Sequence, residues 1–354
     1  MSTVRRFTSS VLGPRERGIE FGERHPQEIA RTVASYLRLF SVVATHPFDV
    51  DTWAGRAWQV ITELDPGAAE EIGGIAEGAG QPVQLIAALN ARTELLAVAN
   101  PLGADECSTV VALPPGRPPV AVQTWDWYAA MSDNWLHWTI PHPDGTLVET
   151  VTEYGVLGKI GVSSHGIGVL FNMLHHANDA GSDIGFPLHL LSRQILDHAH
   201  TLEEAIVLAT SVSPSASSSL TVVEGRPEAG HAVSIEMFPG GPGLLEPEDD
   251  LLVRTNHFVS KEGHDGCMAQ AVGPGSEIRR DKLLTSFGEH HPTGTEEVLE
   301  AMRDHAEVGG VCAHPDRSLD PTLWHATLAT VAIDTRRGRL DVRPGGPCGH
   351  VGPC

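Results

Sequence analysis

Apolar residues at Ile29, Val33, Tyr36 and Leu37, with Phe40 close behind, fall at helical offsets. The stripe predicts one helix over Glu16–Val43. A second helical stretch runs from Asp51, a candidate cap, toward Leu64, where Pro66-Gly67 ends it. A third covers Ala68–Gly78, and a fourth runs from Val83 to Ala97, closed by Pro101-Leu102-Gly103. From Cys107 onward the pattern changes to short apolar runs between turn signals. It predicts strands over Ser108–Leu113, Val120–Trp127, Leu136–Pro141, Leu147–Thr150, Lys159–Ser163 and Ile167–Met173. Asp144-Gly145 marks a hairpin within that series. Helical spacing returns over Phe186–Ala199 and Leu202–Ala209, with Thr201 and Glu204 placed as a capping box.

Further strands are expected over Ser219–Val223, Ala232–Phe238 and Leu251–Val259, and helices over Ile278–Gly288 and Thr295–Asp304. The chain then forms a hairpin, Ala326–Asp334 with Arg339–Val342. Helices followed by many strands, with helices recurring in blocks, point to an α+β fold of antiparallel sheets flanked by helices. Residues 1–106 are helical in character and 107–354 rich in strands. Neither a tandem repeat nor a long linker separates them, which suits one composite domain.

Composition narrows the function. The chain has 354 residues, 41% of them hydrophobic, enough for a large buried core. Asp and Glu outnumber Lys and Arg 45 to 24, and the net charge of -21 opposes nucleic acid and anionic lipid as partners. Five scattered cysteines without a C-x-x-C argue against a disulfide scaffold or a zinc knuckle. The N-terminus does not read as a secretory signal, and no apolar run approaches the roughly 18 residues of a membrane helix. The expected compartment is cytoplasmic.

The common nucleotide and hydrolase motifs are missing. There is no G-x-G-x-x-G, no P-loop, no H-E-x-x-H and no G-x-S-x-G. His175, His176 and Asp179 form the tightest metal-like cluster, but adjacent strand residues face opposite ways and cannot share an ion. The expectation is no metal and no cofactor.

Cys107 stands where helical character gives way to strand. A plain core thiol is one reading. A nucleophile is the other, and it needs a neighbouring base or positive charge. Its nearest charged neighbours are Asp105 and Glu106, which would raise its pKa. Cleavage of the Glu106–Cys107 bond would remove that obstacle. The thiol would then carry a free α-amine, with an ordinary pKa of roughly 8, as its own base.

Four segments resemble, in order, the acyl-coenzyme A:6-aminopenicillanate acyltransferase family, which includes the fungal isopenicillin N acyltransferase and assorted amide hydrolases. Ile86–Glu94 is similar to the helix before that family's cut site. Glu106-Cys107-Ser108-Thr109 is similar to the cleavage site, Gln123-Thr124-Trp125-Asp126-Trp127 to its Q-N-W-D-W strand, and Arg254-Thr255-Asn256-His257-Phe258 to its T-N-H strand. The resemblance implies an N-terminal nucleophile hydrolase: a four-layer αββα sandwich made as a precursor that cuts itself at Glu106–Cys107. The cut would leave a 106-residue α chain and a 248-residue β chain that stay associated.

By the same resemblance, Cys107 is the nucleophile and Asn256 the oxyanion donor. Asp126 orients the α-amine or assists self-cleavage; its alternative is a buried structural carboxylate. His257 is expected to face the other side of its strand in a structural role. Glutamate replaces the glycine that precedes the cysteine in the fungal transferase. The implied substrate is a small amide or N-acyl compound. An acyl-thioester donor and an amine acceptor are the partners if transfer replaces hydrolysis. The competing functions are an unprocessed binding or scaffold protein of the same fold and a metal-dependent hydrolase.

Overall fold

A computed structural model describes residues 3–100, 107–179, 181, 183–226, 229–272, 275–288, 290–306 and 308–349. The chain begins with a short strand, β1 (Arg6–Thr8), and a run of helices: α1 (Pro14–Arg24), α2 (Pro26–Val43), α3 (Val50–Leu64), α4 (Pro66–Ala79), α5 (Val83–Asn90) and α6 (Arg92–Ala99). Strands follow: β2 (Ser108–Ala112), β3 (Val120–Tyr128), β4 (Trp135–Pro141), β5 (Leu147–Glu153), β6 (Ile160–Ser163) and β7 (Ile167–Met173). Next come α7 (Leu188–His198) and α8 (Leu202–Thr210), then β8 (Ser218–Gly225), β9 (Gly230–Met237), β10 (Gly243–Leu245) and β11 (Leu251–Arg254). The remaining elements are α9 (Lys261–His264), α10 (Ala269–Val272), α11 (Gly275–Phe287), α12 (Thr295–Ala301), β12 (His325–Asp334) and β13 (Arg339–Pro344).

The strands form two sheets, ordered β1-β4-β5-β6-β7-β8-β9-β10 and β11-β2-β3-β12-β13. Pairing is antiparallel except between β1 and β4. Helices α7 and α8 lie on the larger sheet, and α11 and α12 on the smaller. The sheets meet where β2, β12 and β13 touch β5, β6 and β7. This is the four-layer helix–sheet–sheet–helix arrangement expected from the resemblance. The main core joins Phe21, Ile72 and Leu95 of the N-terminal helices to Trp125, Leu170 and Val331 of the two sheets. Residues on both sides of Cys107 thus share one core. No helix among the described residues is long and apolar enough to cross a membrane.

Several boundaries differ from the hydrophobic pattern, each for a local reason. The expected single helix over 16–43 breaks at His25–Pro26, because proline lacks the N–H that would continue α1 and opens α2 instead. Asp49, not Asp51, caps α3, accepting from the Thr52 N–H at 3.4 Å. Pro66 begins α4 behind its own cap, Asp65, whose side chain accepts from the Ala68 N–H at 2.9 Å. Strand β11 stops at Arg254, five residues short of the expected Val259. There the Arg254 guanidinium pairs with Glu236 of β9 in the other sheet and donates to the His257 carbonyl at 3.0 Å. The Glu236 carboxylate also accepts from the Val259 and Ser260 N–H groups at 2.8 and 3.0 Å. A buried side chain thus takes the backbone donors a longer strand would have used, and residues 255–260 form a turn.

The helical layer is fastened by close backbone approach and a buried ion cluster. Gly18 and Gly22 of α1 lie against Gly74 and Gly78 of α4. A Cβ at Gly18 would sit 2.1 Å from the Glu71 carbonyl oxygen, and one at Gly74 2.2 Å from that of Arg15. Beside this crossing Glu71 accepts from Arg17 Nε at 2.9 Å and pairs with Arg193 of α7 at 3.2 Å. Gly74→Ala is expected to lower unfolding stability by about 2 kcal/mol through overpacking. Urea denaturation checks this; a variant as stable as the parent would contradict the crossing.

Candidate active site

Cys107 sits immediately before β2 and is 5% exposed. Its Sγ donates to the Asp126 backbone carbonyl on β3 at 3.5 Å. Its own carbonyl accepts from Asn172 Nδ2 of β7 at 3.1 Å, and Asn172 Oδ1 accepts from Thr109 Oγ1 at 2.8 Å. The cysteine is therefore held between the two sheets. Alternation along the strands separates the faces. Cys107, Val111, Trp125 and Trp127 belong to the core between the sheets, whereas Val110, Ala112 and Val122 face α11 and α12. Asp126, alternating with the tryptophans, points its fully buried carboxylate to that second side, where its charge reaches Cys312. Glu106 lies outside the described residues.

Asn256 is brought to the same place through β7. Its Nδ2 donates to the Met173 carbonyl at 3.0 Å, one residue on from Asn172. That bond uses one of the two amide hydrogens and leaves the second for another acceptor. Arg279 Nη2 of α11 donates to Asn256 Oδ1 at 2.7 Å, which fixes which end of the amide is the donor. Ser276 Oγ accepts from the Asn256 N–H at 2.7 Å and also meets His257 Nδ1 at 2.8 Å. Burial, reinforced by Arg254, Arg280 and Arg279, lowers the His257 pKa to about 3. His257 is a neutral hydrogen-bonding group within the turn.

Two buried cations stand on the Cys107 side of β3. Lys159 Nζ lies 3.8 Å from the centre of the Trp125 ring, and the Arg92 guanidinium 4.6 Å from that of Trp127. Arg92 pairs with Glu153 at 2.9 Å, Glu153 accepts from Tyr36, and Trp127 Nε1 donates to the Tyr36 hydroxyl at 2.9 Å. A narrow cleft lies alongside, with a cavity volume of about 20 Å³ that widens to about 400 Å³ when its open mouth is counted. Its walls include Trp127 and Tyr128 of β3, Met173 and Leu174 at the end of β7, and Leu96 and Ala97 of α6. These are the chain neighbours of Asp126 and Asn172, so the cleft adjoins the cysteine.

The structure thus gathers Cys107, the backbone of Asp126 and the side chain of Asn256. Asn172, Arg279, Lys159 and Arg92 complete the site. In the sequence Arg92 stands out only as part of the Ile86–Glu94 segment, and the other three carry no local signal, because their partners lie far along the chain. Asp179 is used locally: it accepts from the His176 N–H at 2.9 Å and from Ser217 Oγ at 2.6 Å, and burial raises its pKa to about 6. Among the described residues, His175, His176 and Asp179 form no converging metal set.

Glu94 of α6 is fully buried and accepts from the Leu188 N–H at 2.9 Å. Burial pushes its pKa up to about 7, against the pull of that hydrogen bond and of Arg92, while Asp179 pushes the same way as burial. Below the ordinary value of 4.5 the carboxyl is protonated in both folded and unfolded chains and costs nothing. The cost grows as pH rises from there and is complete above about 7. Glu94→Gln is therefore expected to stabilise the fold at pH 8 by on the order of 3 kcal/mol and to leave it unchanged at pH 4. Denaturation at both pH values checks the sign; equal effects would contradict it.

Known proteins match this chain at three levels. The model of the acyl-coenzyme A:6-aminopenicillanic acid acyl-transferase family matches residues 114–348, beginning just after Cys107. The acyl-coenzyme A:6-aminopenicillanic-acid-acyltransferase 40 kDa form of Emericella nidulans is 34% identical over 252 residues, spanning 69% of this chain and 66% of the relative. A penicillin V acylase from Agrobacterium tumefaciens aligns with a TM-score of 0.43 at 13% identity, covering 67% of this chain and 82% of that one. A conjugated bile acid hydrolase from Clostridium perfringens aligns at 0.44 and 9%, covering 67% and 92%. With two thirds of its length matched by the family model, the chain belongs to the acyl-coenzyme A:6-aminopenicillanic acid acyl-transferase family.

Proposed function

We propose that this chain is a self-activating cysteine amidohydrolase or N-acyltransferase whose nucleophile is Cys107. The observation that carries the reading is the position of the Cys107 thiol: buried at the head of β2, beside a cleft of mixed polar and apolar lining, with amide donors on Asn172 and Asn256 close by.

In the precursor the Cys107 thiol attacks the Glu106 carbonyl, and the C–N bond breaks as the amide nitrogen takes up a proton. A thioester links Glu106 to Sγ, and the nitrogen becomes the free α-amine of Cys107. Water then hydrolyses the thioester, leaving a carboxylate on Glu106 and a thiol on Cys107. The chain is divided into residues 1–106 and 107–354, which stay together because the main core draws on both.

In the mature enzyme the α-amine takes the thiol proton, and Sγ attacks the acyl carbon of a small amide or acyl thioester. The leaving amine or thiol carries the proton away. Water or an acceptor amine then attacks the acyl-enzyme and restores the thiol. Buried positive charge at Lys159 and Arg92 favours the thiolate on this side of β3. Asn256, oriented by Arg279, offers its remaining amide hydrogen to the oxyanion. The carboxylate of Asp126 points away from the core between the sheets, so its part is to hold this end of β3 and, once the bond is cut, to orient the new amine. The acyl group occupies the cleft between β3, β7 and α6.

The expected outcome for purified wild type on a denaturing mass measurement is two fragments of about 11 and 27 kDa, the 37.8 kDa chain divided in proportion to its parts. Cys107→Ala should remain whole. Folded wild type that keeps its full mass would overturn the self-cleavage. In the processed enzyme, Asn256→Ala is expected to lower kcat by about 100-fold or more, as loss of an oxyanion donor does. An unchanged kcat in a screen of amides and acyl thioesters would remove Asn256 from that role.

A further inference from the structure

The loop between α12 and β12 and the chain beyond β13 bring together four residues that the proposed chemistry does not use. His305, Cys312, His314 and Cys348 place one nitrogen or sulfur atom each within 4.8 Å of one another. Cys312 Sγ and Cys348 Sγ are 3.5 Å apart, and His314 Nε2 lies 3.7 Å from the first and 3.6 Å from the second. The rings of His305 and His314 have centroids 5.0 Å apart. Zinc bonds of about 2.3 Å to sulfur and 2.0 Å to nitrogen in a tetrahedron separate neighbouring ligand atoms by about 3.3–3.8 Å. The three distances among Cys312, His314 and Cys348 fall in that range.

We propose that these four side chains form a structural zinc site. Two thiolates and two imidazoles are the donors that zinc takes in closed tetrahedral sites, and that set disfavours calcium or magnesium, which take oxygen. On binding, each thiol gives up one proton to solvent, so two thiolates balance the dication and the centre is neutral. Four protein ligands leave no open position for a substrate. The site therefore holds structure and takes no part in chemistry at Cys107.

Its surroundings favour the same reading. The segment from Met302 to Trp324 has no α-helix or strand among its described residues, and a loop of that length in a compact domain needs tying down. It is anchored where the ligands sit. The Cys312 N–H donates to the Asp304 carbonyl at 3.0 Å, the Ala313 N–H to Thr327 Oγ1 at 3.0 Å, and the Thr327 N–H to the Ala313 carbonyl at 3.1 Å. Gly346 lies so close that a Cβ there would be 2.3 Å from Cys312 Sγ, which brings the chain to Cys348 directly over the cluster. An open cavity of about 420 Å³ lined by His305, Cys312 and His314 lets an ion in. Thr327 pairs with Asp126 across β12 and β3, so the ion would clamp the loop and the C-terminal segment to the back of the catalytic strand. The spacing hides the site from a sequence reading: Cys312-x-His314 is local, but Cys348 lies 36 residues from Cys312.

Zinc measured in the full chain, purified without chelator and dialysed, is expected at about one ion per molecule. Cys312→Ser/Cys348→Ser should carry about tenfold less, and Cys107→Ser should carry the full amount. Because the double variant loses a staple and can unfold, a second measurement uses wild type alone. Cobalt added to the metal-stripped chain should give the intense visible bands of a tetrahedral site with thiolate charge transfer, and zinc should abolish them. Wild type without zinc and without that spectrum would overturn the proposal. So would zinc retained by the double variant, or an intact mass showing Cys312 and Cys348 joined as a disulfide.

Discussion

The pairing of β2 with β3 is the constraint on which the site depends. Ser108 opposes Thr124 in that ladder, and Thr109 opposes Gln123, so the residue before Ser108 is delivered opposite Trp125, at the start of the Trp125-Asp126-Trp127 segment. A slip of one residue would turn every side chain of β2 to the other face and send the thiol toward α11 and α12. The register is held from outside the ladder. Gln123 Nε2 donates to the Phe171 carbonyl, and its Oε1 accepts from the Phe171 N–H at 3.0 Å. Thr109 and Asn172 make the next link. The two sheets are thus pinned by side-chain amides next to the cysteine, and an amide that reads a neighbouring backbone does so in one register only.

Electrostatics is arranged by layer. Between the sheets, Arg92 and Lys159 bring positive charge onto the tryptophan faces. Behind β3, the Asp126 carboxylate and the thiol of Cys312 share the opposite side. At the edge where the sheets meet, the Arg254–Glu236 pair joins β11 to β9 and shapes the turn that carries Asn256. Removing one partner of such a buried pair leaves a bare charge, which costs far more than the pair itself contributes. The pair thus ties the turn between β11 and α9 to β9.

Much of this was legible in the sequence, and the rest was hidden for definable reasons. The change from helical to strand patterning at Cys107 is a local signal, and the strands that follow it, β2 to β7, lie close to the bounds the pattern predicts, whereas β1, before it, has no such signal. Pro26 and Pro66 each start a helix, but the apolar stripe runs on across the first, and the second, followed by Gly67, has the look of a stop. The end of β11 was not legible, because it is set by Glu236, eighteen residues earlier and in the other sheet. Asn172 and Arg279 were missed for the same reason: their partners, Cys107 and Asn256, lie 65 and 23 residues away. Strand alternation alone turns Asp126 away from its neighbouring tryptophans, but it does not place Cys107 on their side, which depends on the pairing of β2 with β3.

The most direct test of Cys107 as a nucleophile with its own amine as base is to trap the acyl-enzyme. The protein is mixed with a slowly hydrolysed acyl thioester, quenched in acid, and its fragments are mapped by mass. The account predicts one acyl group, labile to hydroxylamine, on the sulfur of a Cys107 that carries a free α-amine at the start of residues 107–354. An acyl group on any other residue, or turnover with Cys107 replaced by alanine, would contradict it.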